Sequence, residues 1–145
     1  MDIRFVEDEQ DIRECLRLRR IVFIEEQGVS EAEEVDGRDP ESRHVLVRDG
    51  RAPIAAARVR FLDDVAKIER VCVLSAHRGK GLGAQLMKFI LAEMAADPRI
   101  ETVRLGAQTH ALAFYQRLGF VAFGDEYLDA GIPHRDMKID FKNEG

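Results

Sequence analysis

The residues best suited to chemistry lie in one short stretch, Ser75-Ala76-His77-Arg78-Gly79-Lys80-Gly81-Leu82-Gly83. Its glycines fall between a strand-like apolar run and a helix-like one, and that arrangement binds anions. Backbone N–H groups at a helix start lack intrahelical partners, and the helix dipole favours negative charge there. Glycine lets the backbone come close to a phosphate. A nucleoside-triphosphate loop needs Ser or Thr after Gly-Lys, and here Gly81 follows Lys80. Gly79-x-Gly81-x-x-Ala84 matches the dinucleotide fingerprint, which should open a first βαβ unit with an acidic residue ending the next strand. Here the loop follows three strand-like runs, and the next strand ends in Gly106-Ala107-Gln108. Both readings are set aside.

The elements that must position the loop follow from periodicity. Asp2 to Val6 reads as a strand, and Asp8 can cap a helix from about Glu9 to Glu26. On it Ile12, Cys15, Leu16, Arg19, Val22 and Phe23 form one stripe, apolar except for Arg19. A polar, acid-rich loop fills Gln27 to Ser42. Strands at Arg43 to Arg48 and Arg51 to Leu62 meet at Asp49-Gly50, a tight-turn dipeptide. Asp63-Asp64 turns the chain into a strand at Val65 to Leu74, so three strands form an antiparallel meander.

Beyond the glycine loop, Leu82, Leu86, Phe89, Ile90 and Met94 share a helix face, and Asp97-Pro98 ends that helix. Glu101 to Gly106 is a strand, Thr109 to Leu118 a short helix closed by Gly119, and Phe120 to Phe123 and Arg135 to Phe141 the last strands. The order β-α-β-β-β-α-β-α-β-β predicts an α+β fold with a mixed sheet of about seven strands and flanking helices.

Composition narrows the classes of function. The chain of 145 residues fits one domain, taken as residues 1–145. A hydrophobic fraction of 46% beside a charged fraction of 34% supports a packed core under a charged surface and argues against disorder. The net charge of −5 gives no electrostatic reason to expect nucleic acid. No apolar run approaches the roughly 20 residues that span a bilayer, so no membrane partner is expected. Met1-Asp2-Ile3-Arg4 does not open a secretion signal, and the expected location is cytoplasmic. Cys15 and Cys72 read as buried thiols of a reducing compartment, with a disulfide left open by spacing alone. His44, His77, His110 and His134 lack metal-ligand spacing, so no metal is expected.

The third reading of the loop is the pyrophosphate of coenzyme A. Arg78-Gly79-Lys80-Gly81-Leu82-Gly83 resembles the Arg/Gln-x-x-Gly-x-Gly/Ala loop of the GNAT superfamily of N-acetyltransferases. Phe114-Tyr115-Gln116-Arg117-Leu118-Gly119-Phe120 resembles the FY-x-x-x-GF segment of the same superfamily. Arg20-x-x-Val-Phe23, Glu26-Gln27-Gly28-Val29, Ala107-Gln108 and Gly131-Ile132-Pro133-His134 look like its bacterial ElaA-like branch. The resemblance covers nearly the whole chain. It implies the acyl-CoA N-acyltransferase fold and transfer of an acetyl group from acetyl-CoA to an amine of a small molecule or peptide. The other function class considered is a coenzyme A-binding sensor without catalysis.

The resemblance also distributes roles. It lays the pantetheine arm along Val71, Cys72 and Val73, where a backbone N–H would polarise the thioester carbonyl. It puts the pyrophosphate on Arg78, Gly79, Lys80, Gly81, Leu82, Gly83 and Ala84. Tyr115 would protonate the departing thiolate, against the plainer role of packing helix on sheet. Glu69 would be the general base, directly or through water, against an ion pair with Lys67 or Arg70. His110 stands where many relatives carry asparagine, which leaves a pantetheine contact or a helix cap; Phe114 would be core or cofactor wall.

For the acceptor, Glu25 belongs to an acidic set with Glu26, Glu31, Glu33, Glu34, Asp36, Asp39 and Glu41 that would attract a cationic amine. A solvated loop is the plainer account of most of them. Arg58 and Arg60 share a strand face and could instead select an acidic acceptor. His134 in the Gly-Ile-Pro-His turn would line the pocket or serve the fold. The exposed last strands allow a homodimer.

Overall fold

The computed structural model describes residues 1–141. Seven strands form one mixed sheet in the order β1-β2-β3-β4-β5-β7-β6. They are β1 (Asp2–Val6), β2 (Arg43–Asp49), β3 (Ala52–Leu62), β4 (Val65–Val73), β5 (Thr102–Gln108), β6 (Val121–Asp129) and β7 (Ile132–Asp140). The helices are α1 (Glu9–Arg19), α2 (Glu31–Glu34), α3 (Leu82–Ala95) and α4 (Leu112–Arg117). No helix among the described residues is long and apolar enough to cross a membrane.

The chain divides into two compact units. The first holds Met1–Arg60 and Glu69–Leu86. In it β1 and β2 pair antiparallel from Asp2↔Arg48 to Val6↔His44, and β2 pairs antiparallel with β3. Asp8 caps α1 as expected, its carboxylate accepting from Gln10 N–H at 2.8 Å. The expected single helix to Glu26 changes character at Arg20: Arg20–Glu26 is a π-helix, whose wider turn closes with Gln27 N–H donating to Val22 O at 3.2 Å. Cys15, Leu18 and Val22 pack with Val6, Leu46, Ala56 and Cys72 into a core that Ile12, Phe23 and Leu74 extend. Cys15 and Cys72 are free thiols in this core, and burial pushes both up to about 12.

The second unit holds Phe61–Ile68 and the chain from Met87 onward. Here β4 runs parallel to β5 from Val65↔Thr102 to Lys67↔Arg104, and β5 pairs antiparallel with β7 from Thr102↔Asp140 to Gln108↔His134. The last two strands are much longer than the sequence reading. The strand expected to end at Phe123 continues through a bulge at Gly124-Asp125-Glu126, with Gly124 at φ +74 and a register shift between Phe123 and Tyr127. The true turn is Ala130-Gly131, at φ +51 and +75, the left-handed pair that a two-residue hairpin requires. Of Gly131-Ile132-Pro133-His134, only Gly131 belongs to that turn. It leads into β7, and His134 is a strand residue opposite Gln108 and Tyr127.

Candidate active site

After β4 a short 3₁₀ turn, Ser75–His77, leads to the glycine loop, and α3 starts at Leu82. Gly79 and Gly81 sit at φ +79 and +78, in open space, so conformation and not crowding demands glycine there. Arg78, Gly79, Lys80 and Gly81 are exposed, Gly83 and Ala84 half-buried, and Leu82 buried beneath them. The Arg78 side chain braces the loop. Its Nε donates to Val73 O at 2.8 Å, and its Nη2 reaches both Glu26 carboxylate oxygens at 2.5 and 2.8 Å.

The same unit holds a network of four arginines and four carboxylates. Arg19 donates to Glu34 at 3.0 Å and to Asp39 at 2.7 Å. Arg58 takes Asp36 through both terminal nitrogens at 2.9 and 2.8 Å, Asp39 at 3.0 Å and Glu69 at 2.8 Å. Arg60 joins Glu69 at 3.0 Å, and Arg70 joins Glu34 at 2.7 Å. Arg19, Glu34 and Arg58 are fully buried, so each charge depends on its counterions. Arg58 above all holds the Asp36 carboxyl well below its ordinary value. Burial alone would push Asp39 up, but Arg19 and Arg58 outweigh it and hold it low.

Arg70 has a further property. It stands in β4 at φ +55, a left-handed backbone costing a side-chain-bearing residue on the order of 1 kcal/mol. Its guanidinium, donating to the Glu34 carboxylate and to the carbonyls of Glu33 and Glu34 at 3.3 and 3.1 Å, fixes that conformation.

In the second unit Tyr115 meets Phe114 and Phe120 edge-to-face, with centroids 4.9 and 5.9 Å apart. Burial pushes its phenol up to about 12, so it keeps its proton at neutral pH. His110 is exposed, with Nε2 2.7 Å from the Gln108 side-chain oxygen. His134 is buried, its Nδ1 2.6 Å from Ile132 O, and its ring stacks on Tyr127 with centroids 5.8 Å apart.

A strand, a loop with two left-handed glycines and a helix form a scaffold suited to an anion. Residues 18–141 match a family model described as an acetyltransferase (GNAT) domain. The chain belongs to the GNAT acetyltransferases. It is 41% identical to the uncharacterized N-acetyltransferase YjcF of Bacillus subtilis over 92% of this chain and 95% of that one. The crystal structure of Escherichia coli ElaA is 32% identical, covers 94% of this chain and 97% of its own, and superposes with a TM-score of 0.85. An acyl-CoA N-acyltransferase from Pseudomonas aeruginosa is 33% identical over 95% of this chain and 99% of its own, with a TM-score of 0.84. The resemblance to GNAT acetyltransferases of the ElaA-like branch, and the fold it implied, are borne out. Members of the family move an acyl group from an acyl-CoA to an amine.

Against this GNAT frame, the first unit joins Val73 to Arg78, and Glu69 to Arg58. Val71 and Val73 are half-buried and Cys72 is buried on the same strand. Glu25 is exposed near the end of the π-helix. Glu34, Asp36 and Asp39, read as members of an acidic rim or a solvated loop, are instead counterions of Arg19, Arg58 and Arg70. Their signal was the matching supply of arginines on the stripe and strands. Sequence reasoning missed Tyr127, because it left the segment between Phe123 and Gly131 without a strand, and it passed over Asp136, which it placed on a strand but whose partner Tyr127 only cross-strand pairing supplies.

Proposed function

We propose that the chain is an acetyl-CoA-dependent N-acetyltransferase, in which an amine attacks the thioester directly within a ternary complex. The observation that carries this reading is the pair Gly79 and Gly81, at φ +79 and +78, in the loop that leads from β4 into α3. In this reading Arg78, Gly79, Lys80, Gly81, Leu82, Gly83 and Ala84 hold the pyrophosphate, chiefly through backbone N–H groups. Val71, Cys72 and Val73 lie along the pantetheine arm, and His110 and Phe114 contact the cofactor. Tyr115 is the acid for the thiolate; a phenol raised to about 12 supports that, because it is a donor at every working pH. Glu69 is the base, directly or through water, its carboxylate oriented by Arg58 and Arg60. Glu25 and His134 belong to the acceptor side, and Arg58 reaches it through Glu69. Residues 1–145 make up one acetyltransferase domain, working in the cytoplasm on a small-molecule or peptide amine and needing no metal.

Thermal unfolding with and without saturating acetyl-CoA tests the reading, with NAD and ATP as controls. A ligand that binds only the folded state raises the melting temperature. The expected result is a rise specific to acetyl-CoA, lost in Gly81→Glu, whose carboxylate would stand where phosphate belongs. No rise in the parent protein, or an undiminished rise in the folded variant, overturns the loop assignment. A rise without thiol release on any amine turns the assignment toward a coenzyme A sensor.

A further inference from the structure

A second polar constellation lies on β5, β6 and β7, apart from the glycine loop in sequence and wholly within the second unit. The Tyr127 hydroxyl donates to Asp136 Oδ1 at 2.6 Å. The Tyr127 ring stacks at 21° on His134, which is 9% exposed. Gly106 of β5 lies opposite Asp136, and a Cβ there would meet the Tyr127 hydroxyl at 2.5 Å and Asp136 Oδ1 at 3.6 Å. At that separation the hydroxyl and a Cβ cannot coexist. The bare backbone of Gly106 is thus what seats the Tyr127–Asp136 pair.

The tautomer of His134 follows from its neighbour. Nδ1 lies 2.6 Å from the carbonyl oxygen of Ile132, and a carbonyl only accepts, so Nδ1 carries the proton. Nε2 is then the basic nitrogen of the neutral ring. Asp129 of β6 and Asp136 of β7 share the face of Tyr127 and His134, and the cations on that face, Arg104 and Lys138, are drawn over the Phe123 ring, 5.3 and 5.5 Å from its centroid. Arg135, next to His134 in sequence, takes the other face of β7, its guanidinium donating to Gly124 O at 3.2 and 2.9 Å.

We propose that Tyr127, His134 and Asp136 form the seat of the acceptor amine, taken up as an alkylammonium, and that His134 Nε2 removes its proton. The inference rests on the acetyltransferase reading and gives it a substrate class. The Asp136 carboxylate and the face of the Tyr127 ring attract the cation, by charge-assisted hydrogen bonding and by the ring quadrupole. One ammonium proton passes to Nε2, giving an imidazolium that returns it to solvent. The freed lone pair forms the C–N bond at the acyl carbon as the C–S bond breaks. The second proton, released as the amide forms, is taken by Glu69, directly or through water, and makes good the one that Tyr115 gives to the thiolate. The same seat shared with an acidic acceptor would place carboxylate against carboxylate, so acidic acceptors are disfavoured.

The test uses n-butylamine and 1,4-diaminobutane as cationic probes and aniline, uncharged at neutral pH, as comparator, each followed by thiol release from acetyl-CoA. His134→Asn keeps a donor for the Ile132 carbonyl but removes the basic nitrogen. It is expected to retain the acetyl-CoA melting shift and the KM for n-butylamine while kcat falls about tenfold or more. Asp136→Asn is expected to raise the KM for n-butylamine several-fold and leave that for aniline unchanged, and it carries the test should the first variant not fold. An unchanged kcat in His134→Asn overturns the proton transfer. Preference for aniline, or no turnover of either alkylamine by protein that acetyl-CoA stabilises, overturns the amine seat and spares the cofactor reading. Absence of the acetyl-CoA shift itself overturns the reading beneath both.

Discussion

Tyr115 shows how a single side chain combines a packing and a chemical role. Its ring is gripped edge-on by Phe114 and Phe120, contacts worth about 1 kcal/mol each beyond simple burial. The same apolar walls raise the phenol to about 12, which keeps the hydroxyl a donor. Tyr115→Phe retains the ring, and with it the packing. It is therefore expected to melt near the parent temperature and bind acetyl-CoA as tightly, while kcat falls about tenfold or more. Steady-state thiol release beside a melting curve measures both, and an unchanged rate removes Tyr115 as the acid. Glycines divide in the same way: Gly81 is required by its φ, Gly106 by the hydroxyl above it.

At the scale of elements, the arginine–carboxylate network fastens the segment holding α2 and the turn Asp39–Glu41 to β3 and β4. Arg58 is its centre, fully buried and shared by Asp36, Asp39 and Glu69. Its Nε has no hydrogen-bond partner among the described residues, so even the satisfied network carries a desolvation cost. Removing Arg58 leaves three carboxylates facing one another with less positive charge between them. Arg58→Ala is expected to destabilise the fold by about 3–5 kcal/mol, measured by urea denaturation. A loss near zero would mean that water replaces the guanidinium. The helix changes character at Arg20, the residue after Arg19 with its two carboxylates. Little of this was legible beforehand. Periodicity marked Arg19 as the polar residue on an apolar stripe, but its partners are 15 and 20 residues away and only folding names them.

For the whole molecule, these groups set the response to acid. Burial holds His44 below its ordinary 6.5; its Nε2 donates to Asp39 O, and its Nδ1 is buried without a partner among the described residues. As pH falls through 6.5 the unfolded chain takes up that proton before the folded one. The stability tied to neutral His44 is therefore complete above 6.5 and lost below it. Asp36 and Asp39 act lower, since their folded values are depressed. Their contribution is present above the ordinary 3.8 and disappears as pH falls further. Two successive losses of stability are expected, one below pH 6.5 and one below 3.8. Denaturant unfolding across that range checks this, and His44→Gln should abolish the first step alone. A single loss confined to the lower range would show that His44 is protonated at no cost.

What the sequence by itself determined is everything written in local spacing. Period-two and period-3.6 patterns, the Asp8 cap and the glycine loop fixed the element order, and two motifs in the right order identified the family. It ended β6 at Phe123 and opened β7 only at Arg135, because the bulge at Gly124 interrupts the alternation and only cross-strand pairing shows that the strand goes on. Tertiary structure decided which charges meet. The carboxylates of residues 34, 36 and 39 are loop acids by sequence and counterions by structure. It also decided what stands over Gly106, since the Tyr127 hydroxyl arrives from a strand 21 residues further along the chain. Periodicity reports which face a side chain takes. Its partner across the fold is set by burial, where a charge or hydroxyl without a match costs too much to leave alone.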